Sequence, residues 1–205
     1  LFRSELDLNF KIKASNGEKY ILKIANSAEQ LENLELQHAA MQHLEKKDFG
    51  LTISVPVKNS AGIEIFSIND LAEQKRFVRL LTWVEGRVFA NAAPHSPELL
   101  SRLGELCGKL SKSLQGFDHP AAHRFLKWDP RQTDWIKDHF DKFSKERKHT
   151  VEHFFALFSR EAVPLFDQLR QSVNYNDAND FNVLVDADPA NPQVPGVIDF
   201  GDLVY

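Results

Sequence analysis

The sequence predicts an α+β chain: a small antiparallel sheet with one helix, followed by a mainly helical part. Three observations carry this. Two alternating apolar runs flank an Asn16-Gly17 turn near the start. Leucine and phenylalanine at helical spacing dominate residues 97–173. Two short apolar runs, 183–185 and 194–198, return at the end, each beside Asp and Asn residues.

The elements follow in order. Lys11-Ile12-Lys13 and the run 19–24 enclose Ser15-Asn16-Gly17-Glu18, a strong hairpin signal because an Asn-Gly pair adopts the positive φ angles of a tight turn. Lys23 lies late in the second strand, between Leu22 and Ile24, and points to the face opposite theirs. Residues 27–47 form a helix with Leu31, Leu34, Met41 and Leu44 on one stripe. Strand candidates follow at 51–57 and 62–68, and an apolar strand at 77–84 ends at Glu85-Gly86. Ser96 is placed to cap a helix over 97–114 that carries Leu99, Leu103, Leu106 and Leu110 on one face. Further helices are expected over 133–143 and 150–173. The second carries Phe154, Phe155, Phe158, Leu165, Phe166 and Leu169, expected as core.

The chemistry concentrates at the end. Asp177 is followed five residues later by Asn182, on a loop entering an apolar strand, and a second strand delivers Asp199-Phe200-Gly201. A transferred phosphoryl group carries heavy negative charge, so divalent cations bridge its oxygens, and hard cations take oxygen ligands. Asn182 and Asp199 supply such ligands, and Asp177 can accept a proton from a substrate hydroxyl. A surface hairpin would also use Asn and Asp as turn formers, but the order and short gap favour a phosphoryl-transfer site.

These residues resemble the catalytic and metal loops of the aminoglycoside phosphotransferase and choline kinase-like families, which share the protein-kinase-like fold. The resemblance is nearest to the hydroxylysine kinase-like branch and to phosphotransferase modules fused to pyridoxal-phosphate aminotransferases. It runs from about Ser4 to Tyr205 and is sharpest in the last thirty or so residues. It implies a bilobal α+β fold, with a nucleotide-binding N-lobe over 1–84 and a C-lobe over 85–205 holding the catalytic and metal loops. It also implies that Lys23 meets the α- and β-phosphates of ATP or GTP with Mg2+ at Asn182 and Asp199. Where the family often has His-Gly-Asp or His-Asn-Asp, this chain has Tyr175-Asn176-Asp177.

In the family a helix Glu pairs with the strand Lys. Here Gln37 occupies the stripe position, and it is favoured over the rotated Glu35; a Gln orients a Lys by hydrogen bonding without offsetting its charge. The nucleotide-covering turn should fall in residues 2–10, where no glycine-rich signature occurs; Ser4, Asn9 and backbone N–H groups are the candidates to touch phosphate, and Glu5 and Asp7 would repel it if they faced inward. The segment 77–86 is similar to the family's Arg-Leu-Leu-x-aromatic stretch, so the backbone of Leu81, Thr82, Trp83 and Val84 is expected to meet the nucleotide base. Families of this fold continue with further helices, so the sequence is expected to be a fragment with an incomplete acceptor pocket.

Composition is compatible with this and excludes other classes. The chain has 205 residues, 42% of them hydrophobic, and a net charge of −4. That balance argues against non-specific nucleic-acid binding. The single cysteine, Cys107, excludes an internal disulfide and suits a reducing cytosol. No stretch approaches the roughly 18 apolar residues of a membrane span, and no signal peptide opens the chain. A cytoplasmic location is expected.

Other residues were weighed. His149 and His153 stand four apart without a third ligand, which argues against zinc. Asp118, His119 and His123 fit a loop between helices. Trp128-Asp129-Pro130 is either structural or part of the substrate lobe. Asp202 either assists Asp199 or is an ordinary loop Asp, and Asn179 and Asp180 bond the catalytic loop or the substrate. Two functions follow. The first is a kinase moving the γ-phosphate of a Mg-nucleotide to a hydroxyl of a small amine, amino acid or aminoglycoside. The second is a non-catalytic kinase-like module that binds a nucleotide or a partner, part of a longer polypeptide for which an aminotransferase fusion is one arrangement.

Overall fold

A computed structural model describes residues 7–47, 50–186, 188 and 193–205. Ser4 and the first part of the expected nucleotide-covering turn lie outside the described residues. The architecture is mixed α+β. The hairpin forms where the Asn-Gly pair predicts it: β1 (Leu8–Lys13) pairs antiparallel with β2 (Lys19–Ile24), and Gly17 takes φ +90° at the turn. Helix α1 (Leu31–Glu45) starts at the first residue of its apolar stripe, later than the expected span of 27–47. Asn26 holds the preceding residues in a turn, its Oδ1 accepting from the Ala28 N–H at 2.9 Å and its carbonyl from the Glu29 N–H. Leu34, Met41 and Leu44 of the stripe are buried against the rest of the chain, and Gln37 is buried with them.

The run at 51–57 is not one strand. It divides into β3 (Thr52–Ile53) and β4 (Pro56–Val57), which belong to different sheets. β4 and β5 (Ile65–Asn69) lie along one edge of β6 (Lys75–Thr82), and β2 lies along the other. All the ladders of this five-stranded sheet are antiparallel. The second sheet runs in the order β3, β9 (Gly196–Val197), β8 (Val183–Val185), β7 (Arg87–Val88), with β3 and β9 parallel. The chain therefore crosses from one sheet to the other between Ile53 and Pro56.

Parallel pairing brings β3 so close to β9 that a Cβ at Gly196 would lie 2.1 Å from the Thr52 carbonyl oxygen. Gly196→Ala is accordingly expected to cost about 3 kcal/mol or more, the upper end of overpacking penalties, because both groups are fixed backbone. A urea midpoint unchanged from that of the parent chain would contradict this close approach.

Helix α2 (Pro97–Ser113) matches its expected bounds, with Ser96 Oγ accepting from the Leu99 N–H at 3.2 Å and Leu99, Leu106 and Leu110 buried. The segments beyond it depart from expectation. Pro130–Lys142 is a 3-10 helix with a kink at Gln132, and α3 (Lys145–Glu161) ends before Pro164, which opens a short 3-10 turn (Val163–Gln168). The aromatic residues of α3 are not core: no residue of this helix is buried, and Phe154 is 61% exposed. They pair locally, Phe155 with Phe140 and Phe158 with Phe166. A helix packed on its own flanking segments has only one side on which to bury side chains. The main core instead joins α1 and α2 to the second sheet through Leu36, Met41, Leu106, Leu110, Val183, Val197 and Phe200. No described helix is long and apolar enough to cross a membrane.

Candidate active site

The last two strands place the chemistry. Asn182 immediately precedes β8, Asp199 follows β9 by two residues, and the Asn182 carbonyl accepts from the Ile198 N–H at 2.9 Å. The two loops therefore leave the sheet side by side. Asp177 is held by two amides: Asn182 Nδ2 donates to its Oδ2 at 2.6 Å, and Asn179 Nδ2 donates to its Oδ1 at 2.7 Å. These contacts fix the carboxylate plane, and the use of Nδ2 leaves Asn182 Oδ1 as the amide atom suited to a cation. Asn179 thus bonds the catalytic loop itself, also capping the N–H groups of Phe181 and Asn182.

Lys23 comes from the other sheet. Its side chain is buried and its Nζ lies 3.5 Å from Asp199 Oδ2. Asp199 Oδ1 accepts from the Gly201 N–H at 3.2 Å. Burial would raise the Asp199 carboxyl, but Lys23, Arg79 and the Gly201 N–H together bring it below the ordinary carboxylate value. Asp199 and Asn176 both take positive φ, +63° and +65°, a conformation non-glycine residues hold only when their surroundings impose it.

Those surroundings are identifiable. Tyr175 is buried, its hydroxyl donates to the Ile198 carbonyl, and its ring meets Phe200 edge-on at 5.2 Å. Burial pushes its phenol well above the usual value, followed by Asp199, Asp177 and Asp202, so it stays a donor at neutral pH. Tyr175, where the family often has His, therefore braces the loop that carries Asp199 directly. Asn176 Nδ2 donates to the Asp202 carbonyl at 2.9 Å, and Arg124 donates to the Gly201 and Leu203 carbonyls. Tyr175→Phe would leave the Ile198 carbonyl without its donor, a loss of about 1–2 kcal/mol. Denaturant unfolding of that variant reads the loss; an unchanged midpoint would show that the hydroxyl braces nothing.

The remaining candidates fall as follows. Gln37 is buried, but its Oε1 has no hydrogen-bond partner among the described residues, and Lys23 pairs with Asp199; Glu35 is exposed. Leu81 is buried in β6. The Thr82 N–H bonds the Val55 carbonyl and the Trp83 N–H the Lys19 carbonyl, so sheet pairing already engages both donors. Lys11 Nζ lies over the Trp83 ring at 3.9 Å. Asp202 sits beside Asp177 with its carboxyl raised, first by burial and then by Asp177. Asp129 caps the 3-10 helix that follows it, while Asp118 and His123 pair with each other. Sequence reasoning missed Arg79, directly opposite Lys23 on β6, and Arg124; the charged residue inside an otherwise apolar strand was the available signal for the first.

The oxygen-rich donor set of Asn182 and Asp199 fits a hard divalent cation. Among the described residues no group of three or more His, Cys, Asp or Glu side chains forms a protein-only metal cage. Magnesium in phosphoryl-transfer sites takes most of its ligands from phosphate and water, so two protein donors suit it.

Residues 2–205 match the phosphotransferase enzyme family (APH). The chain is 29% identical to the hydroxylysine kinase of Mus musculus, over 97% of its own length and 58% of that protein's. It is 26% identical to the hydroxylysine kinase of Danio rerio, again over 58% of the relative. It thus spans 55–58% of the length of the curated relatives it matches. Its fold is similar to that of amicoumacin kinase in complex with AMP-PNP and Ca2+ (TM-score 0.72, 16% identity, 99% of this chain and 58% of that one). It is also similar to an aminoglycoside 2'-phosphotransferase-IIIa bound to GDP (TM-score 0.63, 14% identity, 100% and 66%).

Proposed function

Because the chain belongs to the phosphotransferase enzyme family, we propose that it serves in moving the γ-phosphate of a nucleoside triphosphate to a hydroxyl of a small amine or amino acid. The observation that carries this is the approach of Lys23, on β2 of the first sheet, to within 3.5 Å of Asp199, whose loop lies beside that of the Asn182–Asp177 pair at one end of the second sheet. In that reading Asp177 accepts the hydroxyl proton as the acceptor oxygen bonds to the γ-phosphorus and the nucleoside diphosphate departs. Lys23 holds the phosphates. Asn182 and Asp199 would hold magnesium, which would supply positive charge to offset that of the phosphates. With the Thr82 and Trp83 donors engaged, base reading falls to backbone beyond them, at Val84, where residues 1–84 meet residues 85–205.

Hydroxylysine, ethanolamine-like amines and aminoglycosides fit the same chemistry. The names of the relatives make hydroxylysine the first acceptor to assay. Gln37 in place of an acid motivates a second reading, a module that binds nucleotide without transferring phosphate.

A thermal-shift titration with ATP and GTP, each with and without magnesium, tests the site. Ligand at 100 times Kd stabilises the native state by about 2.7 kcal/mol, a readable rise in midpoint. A magnesium-dependent rise is expected with at least one nucleotide. No rise with either would overturn the nucleotide site, and a rise without phosphate transfer to any amine or amino acid would favour the binding module.

A further inference from the structure

The most anomalous group in the first sheet is Arg79. It is 2% exposed, yet its Nε and Nη1 have no hydrogen-bond partner among the described residues, and Nη2 lies 4.0 Å from Asp7 Oδ2. A guanidinium remains charged at neutral pH, and burying one with donors unsatisfied is costly. Burial pushes its pKa down, while Asp7, then Asp199 and Glu29, support the charged form.

Its position explains what the charge can do. In the register of the sheet Asn9 faces Lys23 and Lys23 faces Arg79, so the three side chains stand in one row on one face. All three are buried, as is Gln37 of α1, whose Oε1 is also unpartnered. Arg79 depresses His38 of α1, after burial has done so, to a pKa of about 3, so that imidazole is neutral. The facing helix thus places Gln37 and neutral His38, not an acid, among its buried polar groups. Glu64 lies 3.3 Å from His38, and Glu35 is exposed. Two adjacent cations therefore stand side by side on the first sheet, and Asp199 feels both.

We propose that Arg79 is a positioning residue for the nucleotide phosphates: it turns Lys23 toward Asp199 by like-charge repulsion, in place of attraction from an acidic helix partner, and adds its own field to that of Lys23. Gln37 is neutral because an acid there would pair with the cations and cancel that field. This inference rests on the nucleotide reading above and deepens it.

The test compares affinities for Mg-ATP, ADP, AMP and adenosine in wild type, Arg79→Met, Arg79→Lys and Gln37→Glu by calorimetry. Arg79→Met is expected to weaken ATP about tenfold, ADP less and adenosine not at all, because the Coulomb energy scales with ligand charge. Arg79→Lys should recover most of the loss. Gln37→Glu, which leaves Arg79 in place and keeps the protein testable if Arg79→Met fails to fold, should weaken ATP while sparing adenosine. Equal losses for ATP and adenosine would make Arg79 merely structural and overturn the proposal. So would tighter ATP binding by Gln37→Glu, the result expected if Lys23 needed an acid. A wild-type chain without nucleotide affinity would instead overturn the kinase reading itself, and this inference with it.

Discussion

Asp177→Asn is expected to lower phosphate transfer by about 10²–10⁴-fold, the range for loss of a general base, with nucleotide affinity nearly unchanged. The substitution keeps the size and shape of the side chain but removes the atom that accepts the hydroxyl proton. It also disturbs the local bonds in a defined way. Both carboxylate oxygens now accept from amide donors, Asn182 Nδ2 and Asn179 Nδ2. An amide at position 177 can satisfy one of these donors but turns its own N–H2 against the other. Part of the loss therefore comes from a displaced Asn182. Measuring turnover and the magnesium requirement together separates the two contributions: loss of the base alone lowers turnover at any magnesium concentration, whereas displacement of Asn182 also raises the magnesium needed. Undiminished turnover in this variant would remove Asp177 from the mechanism.

Lys23→Met should abolish nucleotide binding without destabilising the free protein. Methionine preserves much of the apolar stem while removing an ammonium buried beside Arg79. The ion pair given up is with Asp199, whose side chain is 44% exposed, and a pair with a partly exposed partner contributes little after solvent screening. Repulsion from Arg79 disappears at the same time. The midpoint of the free variant is thus expected to equal or exceed that of the parent, while the rise on adding Mg-nucleotide vanishes. A lower midpoint with nucleotide binding retained would make Lys23 a structural partner of Asp199. Opposite signs for stability and binding are what a group selected for function should show.

Much of the site was legible because phosphoryl chemistry restricts residue type and spacing together. Asp177, Asn182 and Asp199 stand on loops whose flanking valines can only be strand, and Lys23 stands between two apolar neighbours that fix its face. Arg79 was not legible, because the strand pattern gives a face but not a partner across the sheet; its pairing with Lys23 depends on register. The split at 51–57 was hidden for a related reason: an apolar run does not reveal that Ile53 and Pro56 serve different sheets. The phenylalanines of α3 misled in the other direction. Helical spacing establishes a periodic face, but burial needs a second surface, and this helix meets little beyond the segments that flank it. Tyr175 shows how a departure from a family pattern can preserve a task, since its hydroxyl reaches the Ile198 carbonyl and its ring packs on Phe200.

The parallel contact of Thr52 with Gly196 joins points separated by most of the polypeptide. Bringing such distant segments together carries a large loop-closure entropy, and pairings of this kind form late in folding. The β1–β2 hairpin and helix α1 need no such encounter. Assembly is therefore expected to run from local to remote, with the hairpin and first helix formed before Asp199 is delivered beside Lys23. The candidate site is thus expected to be the last part of the molecule to assemble and, under mild denaturant, the first to be lost.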